Sequence, residues 1–361
     1  MKRILALLLA LSLCLALGAC KKKPVETDPT DASTESTQES TETTQESTEA
    51  KKEVLYRHPL TGAPLEQPWS GQLTAVVINN LKKAMPQRGI SKADIFYEVE
   101  VEGDITRCLG IFSSFEGVDV IGPIRSARTY YNSLAVSYDA PLVHCGGSMG
   151  LALAGRYGST SDTIANWEHI DQGSNGKYFY RDMDRYSSGY AWEHTLFTKG
   201  ESLQQAIEDK GFYTPDGKSY GLLFAENVNL NGQAANEVTV KFKGGKTTTF
   251  TFDAEKQQYK MYQHGQDHID GNTNEVVTFK NVIAIYTNEY YHSNGMHKFY
   301  DTIGTGEGYA AINGQIVPIK WSRDSLRTNY TYTQADGTPL TLDVGTTYIA
   351  LVGIKHDIAY K

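Results

Sequence analysis

The sequence predicts a mixed α+β body: an N-terminal α/β domain with a mixed sheet, followed by a β-rich C-terminal domain. Three observations carry this. Up to about residue 226, alternating strands such as "ADIFYEVEV" are interspersed with helical spacings such as "ARTYYNSLAVSY". From about residue 237, short strands are separated by Gly, Asn and Asp turns. The texture changes across "ENVNLNGQAANE", and a body of roughly 300 residues is long for one core. We therefore expect domains at 54–226 and 237–361.

The residues before the body read differently. "MKR" is a basic start, and Ile4–Leu17 is an almost wholly apolar run of 14 residues. That is shorter than the roughly 20 residues of a membrane-spanning helix. "LGAC" then places small residues before Cys20. Together these features make an export signal over 1–19. The Cys directly after it resembles the bacterial lipobox, which implies cleavage before Cys20 and a diacylglycerol on its sulfur. Residues 20–53 are a Ser/Thr/Glu-rich linker too poor in apolar residues to offset ordering entropy. We expect it to tether the body at the outer face of the cell membrane. Replacing Cys20 with Ala should release the protein from the membrane fraction. Retention at both low and high salt would place the anchor elsewhere.

Charge and cysteines narrow the function classes. The formal charge is −8, and eight carboxylates lie between Val25 and Ala50. The body is only mildly acidic, which argues against bulk nucleic-acid binding. Cys14 leaves with the signal, so Cys108 and Cys145 are the body's two thiols. A disulfide and two buried free thiols both fit an exported protein. No Cys-x-x-Cys pattern suggests zinc, and no cofactor is expected.

In chain order, "LTAVVINN" is a short apolar strand. "ADIFYEVEV", "EGD" and "ITRCLGIF" predict an antiparallel hairpin with a tight turn. "ARTYYNSLAVSY" has helical spacing, and "APLVHC" is a buried strand. "MGLALAGRYG" reads as a short helix capped by Ser148. "ESLQQAIEDKG" is an amphipathic helix ending at Gly211. The C-terminal part runs through "EVTVKF", "TTTFTFD", "QQYKMYQ", "VVTFKNVIAIY", "GYAAINGQIVPIKWSR" and "TTYIALVG", with "ING" and "ADGT" as hairpin turns.

"IGPIRSAR" carries the main chemical question. Arg125 and Arg128 precede a predicted helix, where guanidinium forks and backbone N–H groups both favour an anion. "HCGGS" repeats the arrangement: a strand ends at His144, Gly146 and Gly147 allow close approach, and a helix begins near Ser148. Such turns commonly face one crevice, and Arg107 from the hairpin could join them. The residues also fit a plain salt-bridge network, because Glu98, Glu100 and Glu102 are available partners. "YQHGQDHID" groups His264, Asp267, His268 and Asp270, which fits either a solvated turn or a metal site. No Gly-x-Ser-x-Gly or His-Glu-x-x-His motif names a nucleophile or a metalloprotease.

These pieces resemble a known family. "PLTG", "INN", "MPQRGISKADIFYEVEVEGDITR", "IGPIRSAR" and "HCGGS" look like the N-terminal domain of the YerB-like lipoproteins. "YQHGQDHID", "NVIAIY", "IGTGEGYAAINGQIVPIKWSR" and "TLDVGTTYIALV" resemble its C-terminal domain. The resemblance implies a lipid-anchored envelope protein of unknown activity, found mainly in Gram-positive bacteria. It adds Ser126 to the candidate anion-binding set of Arg107, Arg125, Arg128, His144, Gly146, Gly147 and Ser148. Its pattern includes Asp94, Glu98 and Glu102, which we expect to stand behind them as orienting carboxylates. His194 matches a His-containing motif, but Thr195 stands where Asn is usual. Asp104 replaces a usual Gly. Cys108 and Cys145 are not family positions.

The expected function is binding of an anionic cell-wall or lipid-linked ligand, through a phosphate or carboxylate. An enzyme acting on such a phosphate and a scaffold for another envelope protein are the alternatives. Arginines without carboxylate partners would favour the first two, and arginines all paired to carboxylates the third.

Overall fold

The computed structural model describes residues 56–361 apart from 148–167, 216, 292–294, 296 and 355. The signal, linker and Ser148 helix expected above, with Cys20 and Ser148, lie outside the described residues. The apolar run "LTAVVINN" forms β1 (Thr74–Asn79), every residue of it buried. "ADIFYEVEV" and "ITRCLGIF" form β2 (Ile95–Val101) and β3 (Ile105–Phe112), paired antiparallel with Val101 opposite Ile105. Gly103 and Asp104 turn the chain in left-handed backbone, at φ 80° and 54°. Helix α1 (Thr129–Ser137) leads to β4 (Leu142–His144), and β5 (His169–Asp171) follows. Helix α2 (Gly200–Lys210) ends at Gly211, whose φ of 65° suits a glycine C-cap.

In the C-terminal part the described regular structure is nearly all strand. It contains β6 (Glu237–Lys241), β7 (Thr247–Asp253), β8 (Gln258–Gln263) and β9 (Asn281–Thr287). β10 (Gly304–Ile312), β11 (Gln315–Arg323), β12 (Thr347–Gly353) and β13 (Ile358–Tyr360) follow. The "ING" turn joins β10 to β11 with Ile312 opposite Gln315, and Asn313 and Gly314 both have positive φ.

The mixed α/β and β-rich segments are both present, but they do not have separate cores. One 11-stranded sheet runs β11-β10-β9-β12-β2-β3-β1-β4-β5, with short strands added beside β11. The C-terminal β12 lies parallel between β9 and β2, so the chain's last long strand completes the sheet begun by its first half. Glu53–Lys361 is accordingly one compact unit. The change at 226–237 marks a change of sequence texture, while strand pairing continues across it.

The period of two in β2 separates two cores. Tyr97 and Val99 pack with Tyr130, Tyr131 and Leu134 of α1 on one face. Phe96 packs on the other, with Phe250, Tyr259 and Met261 of a second sheet ordered β8-β7-β6-β13. The carboxylates Glu98 and Glu100 point into this second layer, where apolar contact alone would leave them unpaired.

Candidate functional site

The arginine loop and the glycine turn do meet. The Cys145 N–H donates to the Arg125 carbonyl (3.1 Å), and the Ala127 N–H donates to the Gly146 carbonyl (3.0 Å). Gly147, at φ 151°, lies so close to the loop that an added Cβ would stand 2.7 Å from the Ala127 oxygen. Glycine is required there by both backbone angle and space. The N–H groups themselves are largely committed. Arg125 donates to Val77 (3.0 Å), and Gly146 donates to the Asp171 carboxylate (2.8 Å). The expected backbone cradle for a ligand anion is thus partly filled by the protein's own carboxylate.

The arginines divide. Arg128 is held by Glu102, with Nε at 3.1 and 3.0 Å from the two oxygens and Nη2 at 2.7 Å from Oε2. Glu102 also accepts the Lys298 backbone N–H (2.8 Å). Burial works against both charges, but their mutual pairing outweighs it, raising Arg128 and lowering Glu102 from their ordinary values. Arg128 therefore secures the hairpin turn. Arg107 is buried and donates from Nη1 to the Ser126 carbonyl (2.5 Å), with no carboxylate in salt-bridge reach among the described residues. Burial lowers its guanidinium from the usual value, and the like charges of Arg128 and Arg125 add to this. Arg125 donates to the Glu193 carbonyl (3.2 Å), lies 3.9 Å from that residue's exposed carboxylate, and has a buried Nε with no partner among the described residues. Ser126 contributes its carbonyl.

His144 is buried beside this loop. Its Nδ1 donates to the Gly146 carbonyl (2.8 Å) and lies 3.5 Å from Asp171, leaving Nε2 as an acceptor with no partner among the described residues. Burial lowers its pKa, partly offset by Gly146 and Asp171. His169 stands edge-on to it, with ring centroids 5.2 Å apart, and burial pushes its pKa down to about 4. Sequence reasoning missed His169 and Arg181. Arg181 lies over Trp192 at 4.6 Å and donates to its carbonyl (2.7 Å). Neither sits in a motif; the fold brings them there.

Two expected orienting carboxylates lie elsewhere. Asp94 precedes β2, at the opposite end from Glu102, and accepts the Ser113 N–H (2.7 Å). Glu98 is wholly buried on the second-sheet face and touches no arginine. It accepts from Asn80 (2.9 Å), Thr106 (2.5 Å), Thr248 (2.7 Å) and Tyr348 (2.7 Å), with the Lys246 ammonium at 3.2 Å. Burial alone would raise this carboxyl, but Lys246 and the hydroxyl donors together hold it below its ordinary range. Glu100 pairs with buried Lys298 and accepts the Lys243 N–H (2.7 Å). Alternation sends residues 98 and 100 away from the arginine loop, while 102 lies in the turn.

The "YQHGQDHID" cluster is largely structural. Its solvated-turn reading fails for His268 and Asp270, which are both buried. His268 donates from Nε2 to Gln87 (2.6 Å) and accepts from Gln263 at Nδ1 (2.8 Å). Asp270 accepts the Gly89 and Ser91 N–H groups, each at 2.9 Å. His194 is also buried, with Nδ1 3.0 Å from the Asn79 amide. Cys108 is a buried free thiol and Cys145 a half-buried one, so the expected pair of buried thiols holds for Cys108 alone.

Known proteins match most of the body. The N-terminal domain model described as "Protein of unknown function (DUF3048)" matches residues 60–213, and the corresponding C-terminal domain model matches 238–349. The protein named "Putative lipoprotein YerB" of Bacillus subtilis (strain 168) is 29% identical over 279 residues, covering 73% of this chain and 80% of that protein. The crystal structure of YerB protein from Bacillus subtilis superposes with a TM-score of 0.70 at 26% identity, covering 84% of this chain and 99% of that one. With both halves of the family pattern present in order and the same fold around them, the chain belongs to the DUF3048 family of YerB-like lipoproteins.

Proposed function

We propose that this lipoprotein binds an anionic, phosphate-bearing envelope ligand through Arg125 and Arg107, with Arg181 alongside. The observation that carries the reading is the division among the arginines. Among the described residues, Arg128 has a bidentate carboxylate, whereas Arg107 has only the Ser126 carbonyl and Arg125 only weak contact with Glu193. Buried or half-buried cations that repel one another are stabilised by an added anion. His144 Nε2, without a partner among the described residues, supplies an acceptor beside these donors, which suits a ligand carrying a hydroxyl. An enzyme acting on that phosphate is the second reading, and the same neutral imidazole supports it as a proton acceptor.

Substitution of each arginine tests this. A charged hydrogen bond contributes about 1.5–3 kcal/mol, so Arg125→Ala should weaken a phosphate-bearing wall precursor roughly 10- to 150-fold by calorimetry. Its melting temperature should stay near that of the parent. Arg128→Ala should instead lower stability by about 1–3 kcal/mol, because it strands the partly buried Glu102, with partial solvent access limiting the loss. Unchanged precursor affinity in Arg125→Ala would remove the anion-binding reading.

A further inference from the structure

We propose that the surface of Met183, Tyr186 and Trp192, rimmed by Lys82, Lys83 and Arg181, rests on the anionic face of the lipid bilayer. Three of the nine large hydrophobic side chains exposed among the described residues fall within this one stretch: Met183 (51%), Tyr186 (49%) and Trp192 (51%). Tyr186 and Trp192 are in ring contact at 5.5 Å. They form a patch, while the other exposed apolar side chains are spread along the chain. Tyrosine and tryptophan favour the boundary between headgroups and acyl chains, where an apolar ring and a polar edge are both accommodated.

The charges around the patch fit the same surface. Arg185 donates to the carbonyls of Ala84 (3.2 Å) and Pro86 (2.6 Å), and Tyr190 donates to that of Met85 (2.9 Å). These bonds hold the segment bearing exposed Lys82 and Lys83 against the 183–192 stretch. Arg181 lies on the Trp192 ring with no carboxylate in salt-bridge reach among the described residues. Asp184 and Glu193 are exposed here too, but Lys82, Lys83, Arg181 and Arg125 outnumber them on a chain whose formal charge is −8. Cations beside an anionic bilayer are favoured by a factor of roughly five each. Anchored at Cys20, the body would stay within frequent contact of the membrane, so weak docking suffices.

The inference deepens the anion-binding reading. Arg125 donates to the carbonyl of Glu193, the residue after Trp192, so docking would set the arginine site at headgroup level. A phosphate on a lipid-linked molecule would then be presented to it from the membrane.

The full lipidated chain, reconstituted in vesicles whose lipids carry bromine near the headgroup end of the acyl chains, tests this by tryptophan fluorescence. Phosphatidylglycerol-rich vesicles should quench the protein. Trp192→Phe should abolish most of that quenching while leaving the melting temperature unchanged. Lys82→Gln with Lys83→Gln should lower the docking equilibrium constant by roughly 25-fold, a factor of roughly five per cation. Full quenching in Trp192→Phe would overturn the proposal. So would equal quenching in vesicles of phosphatidylcholine alone, or none in either, as when another protein or a second copy covers the patch. Phosphate-precursor binding in the Arg125→Ala variant is read separately. Docking that survives there with binding lost supports both proposals, and docking absent with binding intact removes only this one.

Discussion

Replacing Glu98 with Ala should cost about 3–5 kcal/mol of folding stability, because it breaks a buried ion pair and strands its partner. Glu98 is completely buried, and Asn80, Thr106, Thr248, Tyr348 and Lys246 all converge on it. Three of these partners come from the C-terminal half, so the carboxylate joins the halves chemically where β12 joins them by strand pairing. Removing it would leave three buried hydroxyls short of an acceptor and the mostly buried Lys246 ammonium without its carboxylate. Urea denaturation of Glu98→Ala, Lys246→Met and the double variant gives the measurement. The double variant should lose less than the sum of the singles, since each single change leaves the other charge unpaired. A Glu98→Ala variant as stable as the parent would show that the network does not hold the fold.

Acidification should destabilise the protein in two stages. Burial, chiefly, pushes His268 down to about 3 from an ordinary value of 6.5, with the Lys246 charge adding to it. Between those values the unfolded chain takes up a proton that the folded chain refuses. Stability is therefore fully present above about pH 6.5 and falls with pH, by about 1.4 kcal/mol per pH unit for this one residue. The half-buried His264 and His169, each lowered to about 4, act in the same direction over a narrower window. The second stage begins near the ordinary carboxyl range. Glu98 and Glu102 are both held below it, so the stability they contribute above that range is lost as pH falls through their folded values. Unfolding free energies measured at intervals from pH 7 to pH 4 should show the first stage. His268→Gln should be less stable at pH 7 but should flatten the slope. An unchanged slope would assign the acid sensitivity to other groups.

The separate fates of neighbouring charges explain why the candidate site was only partly legible. The arginine loop and the glycine turn were visible because each has a local signature, Gly-Pro or Gly-Gly at the end of an apolar strand. Their meeting followed from topology common to such sheets. Nothing local distinguished Arg128, which Glu102 occupies, from Arg125, which among the described residues has only weak contact with Glu193. Both lie in the same eight-residue motif "IGPIRSAR". Their difference depends on which guanidinium reaches the hairpin turn.

Several features follow from the chain alone. The β2–β3 hairpin follows from alternation and a turn that tolerates positive φ, α2 from its spacing and Gly211, and the β10–β11 hairpin from Asn313-Gly314. The family pattern was equally readable. These are effects of short range, set by side-chain period and backbone sterics over ten or twenty residues. Tertiary structure decided the rest. It placed β12 between strands from both halves, and it gave Glu98 the Lys246 ammonium and Glu100 that of Lys298. It also set Arg181 against Trp192. A buried charge must be paired, but its pairing energy depends on distance in space and carries no sequence period. Only the folded chain determines which of many available opposite charges comes within reach.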